Sequence, residues 1–251
     1  MRWHIILTFL VVALPQFSLA AVNHGVLVLA PIFTKVAGLP SESVGLIGGM
    51  VGFGAVWCFA ANRMILPFLG PIRALFLGCV LASAALLGFA FENQYLGLLA
   101  GLLVGFGYAV TAPAGSQILA ENTPKKIWGT LFSIRMAGVP AGGALAGVVG
   151  ASIAASYDWR FALGALIIPS VGTAIFLLLS RSKFEMRATM DDFSVIRIFN
   201  PKIFISPFIT LKRIPGLGLI TFVSVGFAAV QGAVFTFFTT YLINELGYSI
   251  A

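Results

Sequence analysis

Charged residues along this chain fall in short clusters separated by long apolar stretches, and that spacing predicts its elements. Seven runs carry no charge, or a single one, over roughly 18 residues or more. They are 3–34, 43–62, 74–91, 93–120, 127–157, 161–180 and 214–244. At about 1.5 Å per residue, some 20 helical residues cross a hydrocarbon core of about 30 Å. The longer runs leave room for tilt or interfacial turns. None shows the apolar–polar alternation of a membrane barrel, with a turn every ten or so residues. The prediction is an all-α, multi-span helical membrane bundle: six spans in 1–180, a polar connection over 181–213, and a seventh span in 214–251. The first run has a second reading, because Arg2, the apolar stretch and the small residues Ser18 and Ala20 also fit a cleavable leader. The apolar pattern continues through 26–33, and removing 1–20 would break the alternation of loops, so the run is taken as a span.

Composition narrows the class. Of 251 residues, 59% are hydrophobic and 9% charged, against about 25% charged in average soluble chains. Ten of the charges lie in 181–213 alone. The rest are too few to cover a water-exposed surface, which excludes a soluble enzyme, and the apolar content excludes disorder. The net charge of +7 does not point to nucleic acid, because no basic stripe with interleaved aromatics stands on a polar background. Cys58 and Cys79 sit inside apolar runs and read as small buried hydrophobes. No metal, nucleotide or covalent-cofactor motif is visible, and without a P-loop direct ATP coupling is not expected. An intramembrane enzyme would need paired Asp, Glu or His within the spans, which the sequence lacks.

Lys and Arg positions set the expected orientation. With a cytoplasmic N-terminus, twelve of the 15 fall inside, Lys35 and Arg160 fall outside, and Arg135 lies within a span. The acidic residues divide evenly, so the bias is in basic residues alone, as the positive-inside rule requires. An integral multi-pass protein of the plasma (inner) membrane is expected, with the lipid bilayer as its first partner. Within the long connection, 193–213 mixes Phe, Ile and Leu with Arg197, Lys202, Lys212 and Arg213. That composition suits either a helix on the cytoplasmic lipid surface or a solvated linker.

Glycine placement adds a packing expectation. Gly45/Gly49, Gly48/Gly52, Gly97/Gly101/Gly105, Gly138/Gly142 and Gly143/Gly147 are spaced by four, which sets small residues on one helix face and lets neighbouring backbones approach. In the fifth span Pro140 stands among these glycines. It lacks a backbone N–H and favours a bend, as suits a helix that flexes against a neighbour.

The stretch Gly138 to Gly143, Gly-Val-Pro-Ala-Gly-Gly, resembles a shortened form of the Gly-x-x-x-Gly-Pro-x-x-Gly-Gly antiporter-type motif of the major facilitator superfamily. It lies on the fifth span, where that family carries it. The segment 63–73 resembles the family's signature loop between spans two and three, with Gly70 and Arg73 matching. Two departures, Pro67 in place of the Asp and Ile72 in place of a first basic residue, remove groups on which that loop's charge relay rests. Gly101 to Gly107 looks like the family's fourth span without its usual Arg. Offset by 209 residues, Phe33…Gly38-Leu39 lines up with Leu242…Gly247-Tyr248, consistent with a half-repeat.

The resemblance implies two six-helix halves joined by a cytoplasmic loop, rocking about a midplane site in alternating access. This chain would supply the first half, the loop and the first helix of the second half, as a fragment or truncated frame. Gly138, Pro140, Gly142, Gly143, Gly70 and Arg73 would serve gating or packing. The implied function is secondary-active transport of a small solute, with a coupling ion such as a proton. A non-transporting membrane scaffold or a seven-helix receptor is the alternative.

Arg135 is the foremost candidate for binding the solute. It lies seven residues after Trp128, about 10 Å into the membrane. An arginine there is costly unless it faces a cavity or a partner, and no acidic residue occurs within a span. It either contacts an anionic solute, organic or inorganic, or snorkels to the surface. Gln16, Tyr108 and Gln231 lie near the middles of spans one, four and seven, which line the central cavity in the family it resembles. They are candidate solute contacts or interhelical hydrogen-bonding groups. His24, in the outer half of the first span, is a possible proton relay or another interhelical hydrogen-bonding group.

Overall fold

The computed structural model describes residues 2–184, 205, 209, 211 and 213–247. Most of 193–213, read above as surface helix or linker, lies outside the described residues. Each apolar run is helical. The first three spans are α1 (Arg2–Val36), α2 (Ser43–Leu69) and α3 (Pro71–Phe89). The fourth is split into α4 (Gln94–Ala109) and α5 (Thr111–Asn122), and the fifth into α6 (Trp128–Leu145) and α7 (Ala151–Ser156). The sixth and seventh are α8 (Trp159–Phe184) and α9 (Leu217–Asn244). Seven segments are long and apolar enough to cross a membrane, and no strand occurs among the described residues. The protein is an all-α membrane bundle.

Local chemistry explains the breaks. Asn93 caps α4, its side chain accepting from the Tyr95 and Leu96 amides at 3.0 and 3.2 Å. The division of α4 from α5 falls where the ring of Pro113 opposes the Ala109 carbonyl one turn earlier. Thr111 bridges the break by donating to the Tyr108 carbonyl at 2.7 Å. The fifth span departs from regular helix at Ala146–Gly150, a wide π-type turn, rather than at Pro140, which lies inside α6.

The segment 63–73 is not the loop that the resemblance suggested. Apolar residues from Met64 onward continue the helical pattern, Ile65 is buried, and α2 runs through Pro67 to Leu69. Only Gly70 interrupts the helices, at φ +74°, a left-handed conformation that favours glycine. Pro71 then opens α3, where its missing N–H costs nothing. Gly38 and Gly247 also adopt left-handed φ, +66° and +68°. The two glycines aligned by the 209-residue offset thus share a backbone conformation after α1 and after α9.

α1 is the hub, packing against α3, α5, α6 and α8. At one end of the bundle His4 stacks on Phe184 with ring centroids 5.5 Å apart. At the other, Phe33 meets Phe89 at 4.9 Å and Trp159 at 6.3 Å. There Arg160 also donates to Glu92 and, at 3.2 Å, to Asp158, joining the α3–α4 and α7–α8 connections. Close backbone approach holds the interior, as expected where lipid removes most of the hydrophobic drive between helices. Gly101 and Gly105 of α4 face the α2 backbone at Ile47 and Val51, and Gly45 and Gly48 receive Phe237 and Thr236 of α9. Gly49, Gly52 and Gly147 face open space, so spacing by four overstated those contacts. Cys58 and Cys79 are buried free thiols.

Candidate functional site

The α1–α6 seam places the candidate residues. A Cβ on Gly142 would fall 2.5 Å from the Phe17 carbonyl oxygen, and one on Gly138 would fall 3.3 Å from the Phe17 amide. Only glycine allows the helices to lie this close. The contact fixes α6 so that Arg135, one turn before Gly138, points into the bundle. Arg135 is 2% exposed. Its Nη1 donates to Ser116 Oγ of α5 at 3.1 Å, and its guanidinium carbon lies 5.7 Å from the Phe132 ring centroid. Gly115 provides the floor, with Val12 of α1 and the Arg135 guanidinium both against it. Tyr108 is half-buried at the end of α4.

Gln16 is 3% exposed and packs on Gly138. Among the described residues its Oε1 has no hydrogen-bond partner, nor does Arg135 Nε. Buried polar groups are nearly always satisfied. Two orphans, an acceptor on α1 and a donor on α6, lie at neighbouring levels of one seam. No carboxylate is paired with Arg135 among the described residues. Arg135 and Gln16 thus lie along the α1–α6 seam, whereas Tyr108 sits at the end of α4.

His24, Gln231, Pro140 and Gly143 form a second group, further along the same seam. They line a cavity of about 600 Å³ between α1, α6 and α9, together with Val28, Val139, Phe235 and Phe238. His24 meets the Phe235 ring edge-on at 4.7 Å. Val139, one turn from Arg135 on the same helix, links the cavity to Arg135. The walls are mostly apolar, with His24, Gln231 and Thr239 as the polar points.

Gly70 and Arg73 lie apart, at the α2–α3 junction. Ser116, Phe235 and Phe238 were missed from sequence. Ser116 carried one signal, a hydroxyl beside Gln117 two turns beyond Tyr108, while the two phenylalanines were indistinguishable from lipid-facing ones.

The profile described as Major Facilitator Superfamily matches residues 17–251. Among solved structures, a peptide transporter POT in complex with sulfate superposes with a TM-score of 0.61 at 14% identity, covering 97% of this chain and 47% of that one. At this identity the likeness is one of fold. No curated protein matches the sequence.

Proposed function

The chain belongs to the Major Facilitator Superfamily, and from that premise we propose that it takes part in secondary-active transport of a small organic anion by alternating access. The observation that carries this reading is Arg135, buried within the bundle and, among the described residues, without a carboxylate partner and with Nε unsatisfied. A charge so placed needs a solvating cavity or an anion. The planar guanidinium matches a carboxylate in a way an ammonium does not. Ser116 holds one Nη, so the guanidinium is positioned before the solute arrives. A donor on the solute would satisfy the Gln16 oxygen. The body of the solute would occupy the cavity bounded by Phe235, Phe238 and Gln231, and His24 on its wall is the candidate carrier of a coupling proton.

Gly138, Gly142 and Gly143 are read as the seam along which α1 and α6 shift, with Pro140 lowering the cost of bending. Residues 1–180 act as one half, 181–213 as the cytoplasmic connection, and 214–251 as the start of the other half. The N-terminus lies in the cytoplasm and the membrane is the plasma (inner) membrane.

Binding tests this reading directly. Purified protein is titrated with aromatic and aliphatic carboxylates, each beside its uncharged amide, and thermal unfolding is followed. Carboxylates should raise the unfolding temperature in the unmodified protein and not in Arg135→Gln, while the amides should do nothing. Equal stabilisation by acid and amide, or an unchanged response in Arg135→Gln, contradicts the assignment.

A further inference from the structure

Beside Arg135, the α1–α6 seam holds a second buried group that the protein leaves unpaired. Gln16 is 3% exposed, and among the described residues its Oε1 accepts from nothing. An amide oxygen left so is costly, because folding takes it from water and returns no donor. Its neighbours set it close to the arginine. A Cβ on Gly138 would lie 3.5 Å from Gln16 Cγ, so the glutamine packs where α6 has no side chain. Gly138 follows Arg135 by three residues, a rise of about 4.5 Å. α1 repeats that spacing. A Cβ on Gly115 would meet Val12 at 2.7 Å and Arg135 Nη1 at 3.3 Å, and Gln16 stands one turn beyond Val12. A solute anion on the guanidinium thus needs its hydrogen-bond donor near the carboxylate. The charge of the site narrows what that donor is. Ser116 donates its own proton to the Ala112 carbonyl at 2.6 Å and turns a lone pair to Arg135 Nη1, so it supplies an acceptor and no charge. No carboxylate among the described residues pairs with Arg135. An ammonium so close to the guanidinium would meet a like charge away from water, whereas a hydroxyl would not. Val139 and Pro140, next along α6, are walls of the mostly apolar cavity that includes Phe235 and Phe238, which suits an apolar remainder. On the reading that Arg135 binds the anion, we infer that the solute is a hydroxycarboxylate with an apolar body, its carboxylate on Arg135 and its hydroxyl donating to Gln16 Oε1. Gln16 is then the residue that selects the hydroxy acid over the plain acid and over the amino acid.

A matched ligand set tests it on the purified full chain in mild detergent: phenylpropanoate, phenyllactate, the methyl ether of phenyllactate, and free phenylalanine. Dissociation constants are read from the unfolding temperature at graded ligand concentrations. Unmodified protein should bind phenyllactate about ten-fold tighter than phenylpropanoate. The ether keeps the oxygen but loses the donor, and should bind no tighter than phenylpropanoate. Free phenylalanine should bind more weakly than either acid. Gln16→Met keeps the length of the side chain and removes its acceptor, and should bring phenyllactate and phenylpropanoate to within about two-fold of each other. The ligand series in the unmodified protein decides the question even where the variant does not fold. Arg135→Gln separates this inference from the reading beneath it. If both acids bind equally and both lose binding in Arg135→Gln, the anion assignment holds and the hydroxyl assignment is overturned. If neither acid depends on Arg135, the anion assignment falls and this inference falls with it. Binding of the ether or of phenylalanine as tight as that of phenyllactate overturns the uncharged donor. A preference for phenyllactate undiminished in Gln16→Met overturns the role of Gln16.

Discussion

Gly142→Ala is the smallest change that probes the seam on which the candidate site depends. The added Cβ would lie 2.5 Å from the Phe17 oxygen, 2.7 Å from the Ala21 nitrogen and 2.8 Å from the Ala20 Cβ. Ordinary contact starts near 3.4 Å, so α6 must retreat from α1 by about 0.9 Å. A gap of ~0.5–1 Å forfeits a quarter to a half of the dispersion attraction across it. Overpacking of this kind costs about 1–3 kcal/mol, offset by up to ~1 kcal/mol from replacing glycine within a helix. The net loss is about 1–2 kcal/mol, a factor of roughly 5 to 30 in the folding equilibrium. Reversible unfolding by SDS in mixed micelles, followed by tryptophan fluorescence, measures it. Gly172→Ala in α8 is the comparator, because nothing lies within 4 Å of its Cβ position. It should leave stability unchanged or raised. If Gly142→Ala unfolds at the same SDS fraction as Gly172→Ala, α1 and α6 do not meet through Gly142 and the placement of Arg135 loses its basis.

Other outcomes follow from the same contacts. Ser116→Ala removes the acceptor of Arg135 Nη1 and should weaken carboxylate binding by about 1.5–3 kcal/mol, read as a shift in titration midpoint. Arg160→Ala should lower stability by no more than about 1 kcal/mol, and the loss should shrink in high salt, because its partners are partly exposed. Cys58 and Cys79, buried in α2 and α3, should resist a water-soluble maleimide in the folded protein and react once it is unfolded in SDS. Reporter fusions at Lys126 should be cytoplasmic and at Leu39 external; the reverse pattern would overturn the orientation.

The spans were legible because charge is so scarce that each cluster marks a membrane boundary. The division of the fourth span at Val110 was less visible. It involves no charge, and Pro113 acts through a carbonyl one turn earlier, not through hydropathy. The helical course of 63–69 was masked by a resemblance that carried a loop with it, although Met64, Ile65 and Leu66 keep a helix-compatible apolar pattern. Gly70 and Gly38 were readable only as glycines, since their φ values depend on what the chain must do next. Within the site, Arg135 stood out by cost alone, and Gln16 and Tyr108 by polarity. That Arg135 and Gln16 share one seam was not readable, because it depends on which face of α6 the glycines press against α1. Ser116 entered only through that contact. The pairing of Arg160 with Glu92 crosses from one connection to another, a proximity that sequence spacing does not encode.

The most direct test of Arg135 as the anion-binding group is counterflow of a radiolabelled carboxylate into proteoliposomes, without ATP. The unmodified protein is compared with its Arg135→Lys and Arg135→Gln forms. Lysine keeps the charge but loses the planar fork. Exchange should be saturable in the unmodified protein, reduced in Arg135→Lys and lowest in Arg135→Gln, with all three inserted to equal levels. Exchange at the unmodified rate in both variants would contradict it and leave Arg135 as a snorkelling residue with no part in solute binding.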